Sequence, residues 1–177
     1  DSFVNFDRIE TEHFLVMLHR DEIGALAPYV TALLEEAYET LSAKYRFEPE
    51  WPITFEMFPD HDDFAVRTLG LPGLGALGVS FGKVVVMDSP SARPPGEFNW
   101  GGTLWHEFAH VITLQITDHK VPRWFSEGLS VFEEKRARPG WGEDLQPDFL
   151  AAIRDDQFLP IADLNDGFVR PKFPGQI

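Results

Sequence analysis

The sequence predicts an α+β fold, because strand-like segments are grouped in its first half and helix-like segments follow in its second. Two patterns carry that expectation. Ile53, Phe55 and Met57 alternate with Thr54 and Glu56, the period of two that a half-buried strand shows. Leu104, Phe108, Val111, Ile112 and Leu114 occupy most faces of a later segment, as in a helix sunk in a core. With 177 residues, 44% of them hydrophobic and 16 of them Phe, the chain can bury one substantial core. A single domain over 1–177 is expected, with strands plus a helix up to about residue 100 and helices from 101 onward.

Taken in order, Glu12 to His19 is rich in apolar residues and reads as a strand. Ala27 to Lys44 carries Val30, Leu33, Leu34, Ala37, Tyr38 and Leu41 at spacings of three and four, which predicts a helix. Trp51-Pro52 breaks the chain before the strand Ile53 to Phe58, and Asp60 can cap a short helix to about Leu69. Val79 to Met87 reads as one further strand, Ser89 to Pro95 as a loop, and Pro147 to Asp155 as a helix. Gly73 to Gly78 matches G-x-G-x-x-G, but a dinucleotide fingerprint follows a strand and opens a helix, whereas these glycines precede a strand. They are expected to form a loop over a cleft or a turn into the strand. No internal repeats are visible.

Charge narrows the function classes. A formal net charge of −14 argues against nucleic acid and against anionic membrane surfaces. Zero cysteines exclude disulfides and any thiolate metal site. The longest uncharged run, Thr68 to Gly82, is too short and too interrupted by Gly and Pro to span a bilayer, so no membrane insertion is expected. A first residue Asp1 rather than Met suits removal of a signal peptide, and a secreted, periplasmic or cell-surface location is expected, a cytoplasmic one being also compatible.

The most informative stretch is His106-Glu107-Phe108-Ala109-His110. A helix stacks residues four apart on one face, so both imidazoles can reach one ion, and H-E-x-x-H is the helical half of a catalytic zinc site with Glu as general base. Thr103, His106, His110, Thr113 and Thr117 form the one polar stripe of this segment. Two hydrogen-bonded core histidines are the plain alternative, but buried imidazoles need partners and a metal satisfies both. A tetrahedral catalytic site needs a third protein ligand. Glu127 supplies a candidate after 16 intervening residues. It lies in a second amphipathic segment, with Phe125, Leu129 and Phe132 at helical spacing, Pro122 at its start and Asp118-His119-Lys120 as the intervening turn. Gly128, without a side chain, is expected to permit close approach of the two helices.

His106 to His110 followed by Trp124-Phe125-Ser126-Glu127-Gly128 resembles the gluzincin metallopeptidases, and Thr103 to Glu134 is most similar to the peptidase MA-like domains. The resemblance spans about residues 79 to 137. It implies a zincin-like fold with a small mixed sheet, Zn²⁺ held by His106, His110 and Glu127, and Glu107 as the catalytic base hydrolysing peptide or protein substrates. It also implies that the strand beside the metal helix, here Val79 to Met87, lines the substrate groove and pairs with extended peptide. That strand lacks the Gly-Ala-Met-Glu-Asn signature of aminopeptidases, which favours an endopeptidase. The chain departs from the family in one respect. Gluzincins place a Tyr or His after the Glu ligand to hold the oxyanion, and none follows Glu127. Arg123 or Arg170 substitutes, or the donor lies beyond residue 177; the second is the favoured expectation, with the domain incomplete at its C-terminus.

Metal-bound histidines are normally oriented by carboxylates on the other ring nitrogen, and Glu134, Glu133 and Asp118 are the candidates. His13, His19, His61 and His119 have no ligand-like spacing and are expected at the surface or in turns; Trp100, Trp105 and Trp124 either wall the site or belong to the core. The competing function is a zinc-stabilised binding or scaffold module, which would close the fourth coordination position, yet no fourth His or Cys stands at suitable spacing.

Overall fold

The computed structural model describes residues 4–70, 75–142, 146–155 and 157–169. Among these residues, five strands and six α-helices follow one another in a mixed α+β order. Strands β1 (Phe6–Glu10) and β2 (Phe14–His19) form a hairpin, and helix α1 (Ile23–Tyr45) carries the chain to β3 (Ile53–Phe58). Helix α2 (His61–Leu69) follows, capped by Asp60, whose carboxylate accepts from the N–H groups of Asp62 and Asp63. Then come β4 (Gly78–Ser80), β5 (Val84–Asp88), α3 (Trp100–Ile116), α4 (Arg123–Ala137), α5 (Gln146–Arg154) and α6 (Leu164–Val169).

The sheet order is β1-β2-β3-β5-β4. β2, β3 and β5 run parallel, while β1 and β4 pair antiparallel at the two edges. Alternation sorts the side chains onto two faces. Phe14, Val16, Leu18, Ile53, Phe55, Met57, Val85 and Met87 point to the face covered by α1 and α3. Phe58, Val86 and Val84 point to the other face, where Phe6 and Phe64 of α2 meet them. On that second face Arg67 makes a two-pronged bond at 2.8 Å to the buried Glu56. Asp88, fully buried at the end of β5, accepts from Arg93 Nε at 2.8 Å and lies 2.9 Å from His61 Nδ1.

Several expectations need correction. Val79 to Met87 is not one strand: Gly82, with φ of +85°, turns the chain so that β4 folds back on β5. Of this run the short β4 is at an edge of the sheet, and β5 lies between β3 and β4. α1 and α2 lie where a helix over Ala27 to Lys44 and a short helix after Asp60 are expected, whereas β1 and α6 were not anticipated. His13 lies in the turn between β1 and β2, as expected, but has ring partners, and His61 opens α2 rather than sitting in a turn. His13 Nδ1 is 2.6 Å from Glu35 Oε2 and its ring stacks on Tyr38 at 3.6 Å, whereas His119 does sit exposed in the turn after α3. Trp105 is 2% exposed and Trp100 packs against the main core.

Phe108 on α3 is 1% exposed, with ring centroids 5.7 Å from Phe14 and 6.0 Å from Tyr38, so it joins the metal-candidate helix to both sheet and α1. Truncation to Ala removes those contacts and leaves a cavity. Phe108→Ala is expected to cost about 3–5 kcal/mol, measured as a lowered urea midpoint.

Candidate metal centre

Asn99 starts α3 by accepting the Gly102 N–H at 3.0 Å, and the helix then sinks its apolar residues into the core. That leaves its polar stripe to face α4. The two helices are joined by a tight turn in which Asp118 and His119 adopt φ of +52° and +58°, and the His119 N–H bonds back to Leu114 C=O at 2.8 Å. Gln115 Nε2 donates to Gly82 C=O at 2.8 Å, tying the end of α3 to the β4–β5 turn.

The Nε2 atoms of His106 and His110 are 3.2 Å apart, and Glu127 Oε2 lies 3.4 Å from the first and 3.3 Å from the second. Three donors on a tetrahedron whose centre binds at about 2.0–2.1 Å are separated by about 3.3–3.4 Å. The triangle therefore has the dimensions of three ligands around one zinc-sized ion, and imidazole and carboxylate are the donor types that zinc accepts. Among the described residues, this is the cluster of three or more His, Asp or Glu groups able to hold one ion.

Both histidines present Nε2 to this point because Nδ1 is occupied. His110 Nδ1 is 2.8 Å from Ser126 Oγ, which is 2.9 Å from Thr113 Oγ1, and the Thr113 hydroxyl donates to His110 C=O at 3.2 Å. A consistent chain of donors runs from ring N–H to Ser126 to Thr113 to carbonyl, which leaves the His110 Nε2 lone pair free. His106 Nδ1 faces Glu134 Oε2 at 3.4 Å. Of the three expected carboxylates, Glu134 alone is beside a ring. Glu133 turns the other way, buried, and accepts from Lys44 Nζ at 2.6 Å and from the Tyr45 hydroxyl, fastening α4 to α1. Asp118 pairs with Lys120 in the exposed turn. Ser126 had no sequence signal beyond its place just before Glu127. Because its hydroxyl is buried with a ring nitrogen as partner, Ser126→Ala is expected to weaken zinc binding about 10–100-fold, read by competition with a chelator.

Charges reinforce one another here. Burial alone would lower the His106 pKa, but hydrogen bonding to Glu127 and Glu134 outweighs it and pushes the pKa up to about 10. Burial would likewise raise Glu127, yet the two imidazoles hold its carboxyl well below the usual carboxylate range. The pocket thus favours positive charge, and a proton and a metal compete for the same imidazole nitrogens. Glu107, buried beside the triangle, is pushed up by that burial, with the neighbouring imidazoles opposing.

α4 faces inward by its polar side. Ser126, Ser130 and Glu133 are buried, whereas Phe125 and Phe132 are each 49% exposed. Gly128 is not a point of close approach, since a Cβ there would meet nothing within 4 Å. The crowded glycines beside the triangle are Gly102, where a Cβ would come 2.8 Å from Glu134 Oε1, and Gly78, where it would come 2.7 Å from Glu107 Cγ and 2.9 Å from its Oε1. Gly78, the last glycine of the G-x-G-x-x-G run, opens β4 and leaves room for the Glu107 carboxyl; Gly73 and Leu74 lie outside the described residues. Gly78→Ala is expected to displace the Glu107 carboxyl while leaving the donor triangle in place, which a crystal structure of the variant checks.

The triangle opens into a cleft of about 850 Å³ walled by β4, α3 and α4. Val79 and Phe98 line it, but none of the tryptophans does. Arg123, at the start of α4, also lines it, with Nε 3.3 Å from Glu127 Oε1; Arg170 lies outside the described residues. Among the described residues no helix is long and apolar enough to cross a membrane. A scan against protein-family models finds no match for this chain, and a search of curated proteins finds none either.

Proposed function

We propose that this protein is a zinc-dependent peptidase of the gluzincin type with a zincin-like fold. In this reading His106, His110 and Glu127 bind Zn²⁺, Glu107 is the general base, and the reaction is endoproteolytic cleavage of peptide or protein chains. The observation that carries the reading is the donor triangle, whose 3.2, 3.3 and 3.4 Å edges suit one tetrahedral ion. A scaffold role for the metal would call for a fourth protein donor, and among the described residues the cluster has three, beside an open cleft.

Bound at this point, Zn²⁺ supplies Lewis acidity toward water and toward a carbonyl oxygen. The chain's own residues supply the rest. Ser126 and Glu134 hold the two rings so that Nε2 of each stays turned to the ion. Glu107 accepts a proton from water as the water oxygen bonds to the carbonyl carbon and the carbonyl π pair moves to oxygen. When the C–N bond breaks, its electron pair goes to nitrogen and Glu107 delivers the proton there. A carboxylate whose pKa is raised by burial is a stronger proton acceptor than an exposed one, which suits the base role. β4 lines the cleft as an edge strand, so an extended peptide can pair along its free side without any terminal anchor. The edge role belongs to Gly78–Ser80 alone, a shorter platform than Val79 to Met87.

Elemental analysis of the purified protein tests the reading together with cleavage of a peptide library analysed by mass spectrometry. One zinc per chain and internal cleavage lost on chelation are the expected results. Absence of bound zinc at micromolar supply removes the reading.

A further inference from the structure

We propose that Arg123 is a further catalytic residue, the donor that stabilises the oxyanion formed when water adds to the substrate carbonyl. This rests on the peptidase reading above. Negative charge developing on the carbonyl oxygen is best met by a donor already in place, and a metal alone leaves that oxygen with one partner. Residues 128–177 contain no Tyr or His, so within this stretch the candidates are of another residue type.

The cleft lining offers one guanidinium or ammonium group among the described residues, and it is Arg123. It stands one helical turn before Glu127. Its Nε is 3.3 Å from Glu127 Oε1, while Oε2 of the same carboxylate faces both imidazoles. The guanidinium is therefore held next to the reacting point by the far oxygen of a ligand. A guanidinium has five N–H donors, and this contact uses one. The side chain is 65% exposed, whereas its backbone N–H donates to Asn165 Oδ1 at 3.0 Å, so the base of the residue is fixed and its head is free to swing toward substrate. Catalytic hydrogen bonds of this kind tighten when substrate binds. A guanidinium also remains charged at every working pH, unlike an imidazole or a phenol.

In the step itself, the carbonyl π pair moves onto oxygen as the new C–O bond forms, and Arg123 N–H groups donate to that oxygen without losing a proton. When the carbonyl re-forms and the C–N bond breaks, the donation weakens. Arg123 therefore acts on the transition state and little on bound substrate.

The test compares zinc-loaded wild type, Arg123→Ala and Arg123→Lys on one peptide that the wild type cleaves, with zinc content measured for each. Calorimetry with a phosphinic analogue of the same peptide, a tetrahedral anion, gives a readout independent of turnover. Arg123→Ala is expected to lose about 100–1,000-fold in kcat with KM changed little, and to bind the phosphinic peptide more weakly by a comparable factor. Zinc should remain at one per chain, and Arg123→Lys, which keeps charge without the planar fork, should recover part of the loss. The assignment is overturned if kcat and phosphinic affinity stay near wild type. It is equally overturned if the loss is accounted for by missing zinc, since Arg123 would then act only by supporting Glu127. Failure of the wild type itself to cleave or to bind the phosphinic peptide, with zinc in place, removes the peptidase reading and this inference with it.

Discussion

Glu107→Gln is expected to lower peptide cleavage by about 10²–10⁴-fold while zinc stays bound. Gln has nearly the shape of Glu, so the packing against Gly78, where a Cβ would approach to 2.7 Å, is preserved. What disappears is the proton acceptor. The amide can neither take a proton from water nor return one to the leaving nitrogen, and both halves of the reaction slow. The imidazoles and Glu127 are untouched, so metal content and melting temperature should match the wild type. Unchanged cleavage at full zinc occupancy would show that another group is the base.

Glu127→Ala is expected to have the larger effect on the metal, weakening zinc binding by more than the roughly 10–100-fold typical of removing a supporting partner. Two imidazoles 3.2 Å apart then remain, without the carboxylate that completes the triangle and balances the charge of the ion. Thermal unfolding reads this directly. A ligand that binds only the folded chain adds about 4 kcal/mol at a thousand times its dissociation constant. The wild type should melt at a higher temperature with zinc and lose that gain on chelation, while Glu127→Ala should show almost no zinc-dependent shift. An equal shift in both proteins would mean that the metal sits elsewhere.

Local patterns were a good guide to element type and a poor one to pairing. The alternation of Ile53, Phe55 and Met57 and the helical spacing through Leu34, Tyr38 and Leu41 correspond to β3 and α1, because each period is imposed by one buried face. The run from Val79 to Met87 looked continuous because apolar residues lie on both sides of its turn. Phe81, Gly82 at φ +85° and Lys83 separate β4 from β5, and a lone glycine in an apolar run is a weak turn signal. β1 escaped notice because its residues Asp7, Arg8 and Glu10 are exposed at the sheet edge and carry no apolar alternation.

α4 shows why the site was only half legible. Its pattern of Phe125, Leu129 and Phe132 announces a helix, and by the usual rule those rings should face the core. Here the inward side must serve the polar stripe of α3, so Ser126, Ser130 and Glu133 are buried and the two phenylalanines stay half exposed. The sequence by itself determined the chemical types and the helical spacing of His106, Glu107 and His110, since four residues along a helix always share a face. Tertiary structure alone decided that Glu127 reaches them, that Ser126 and Glu134 hold their rings, and that Gly78 makes room for Glu107. These contacts join segments far apart in the chain, so they depend on the rotation of α4 and the return of β4, which no local period encodes.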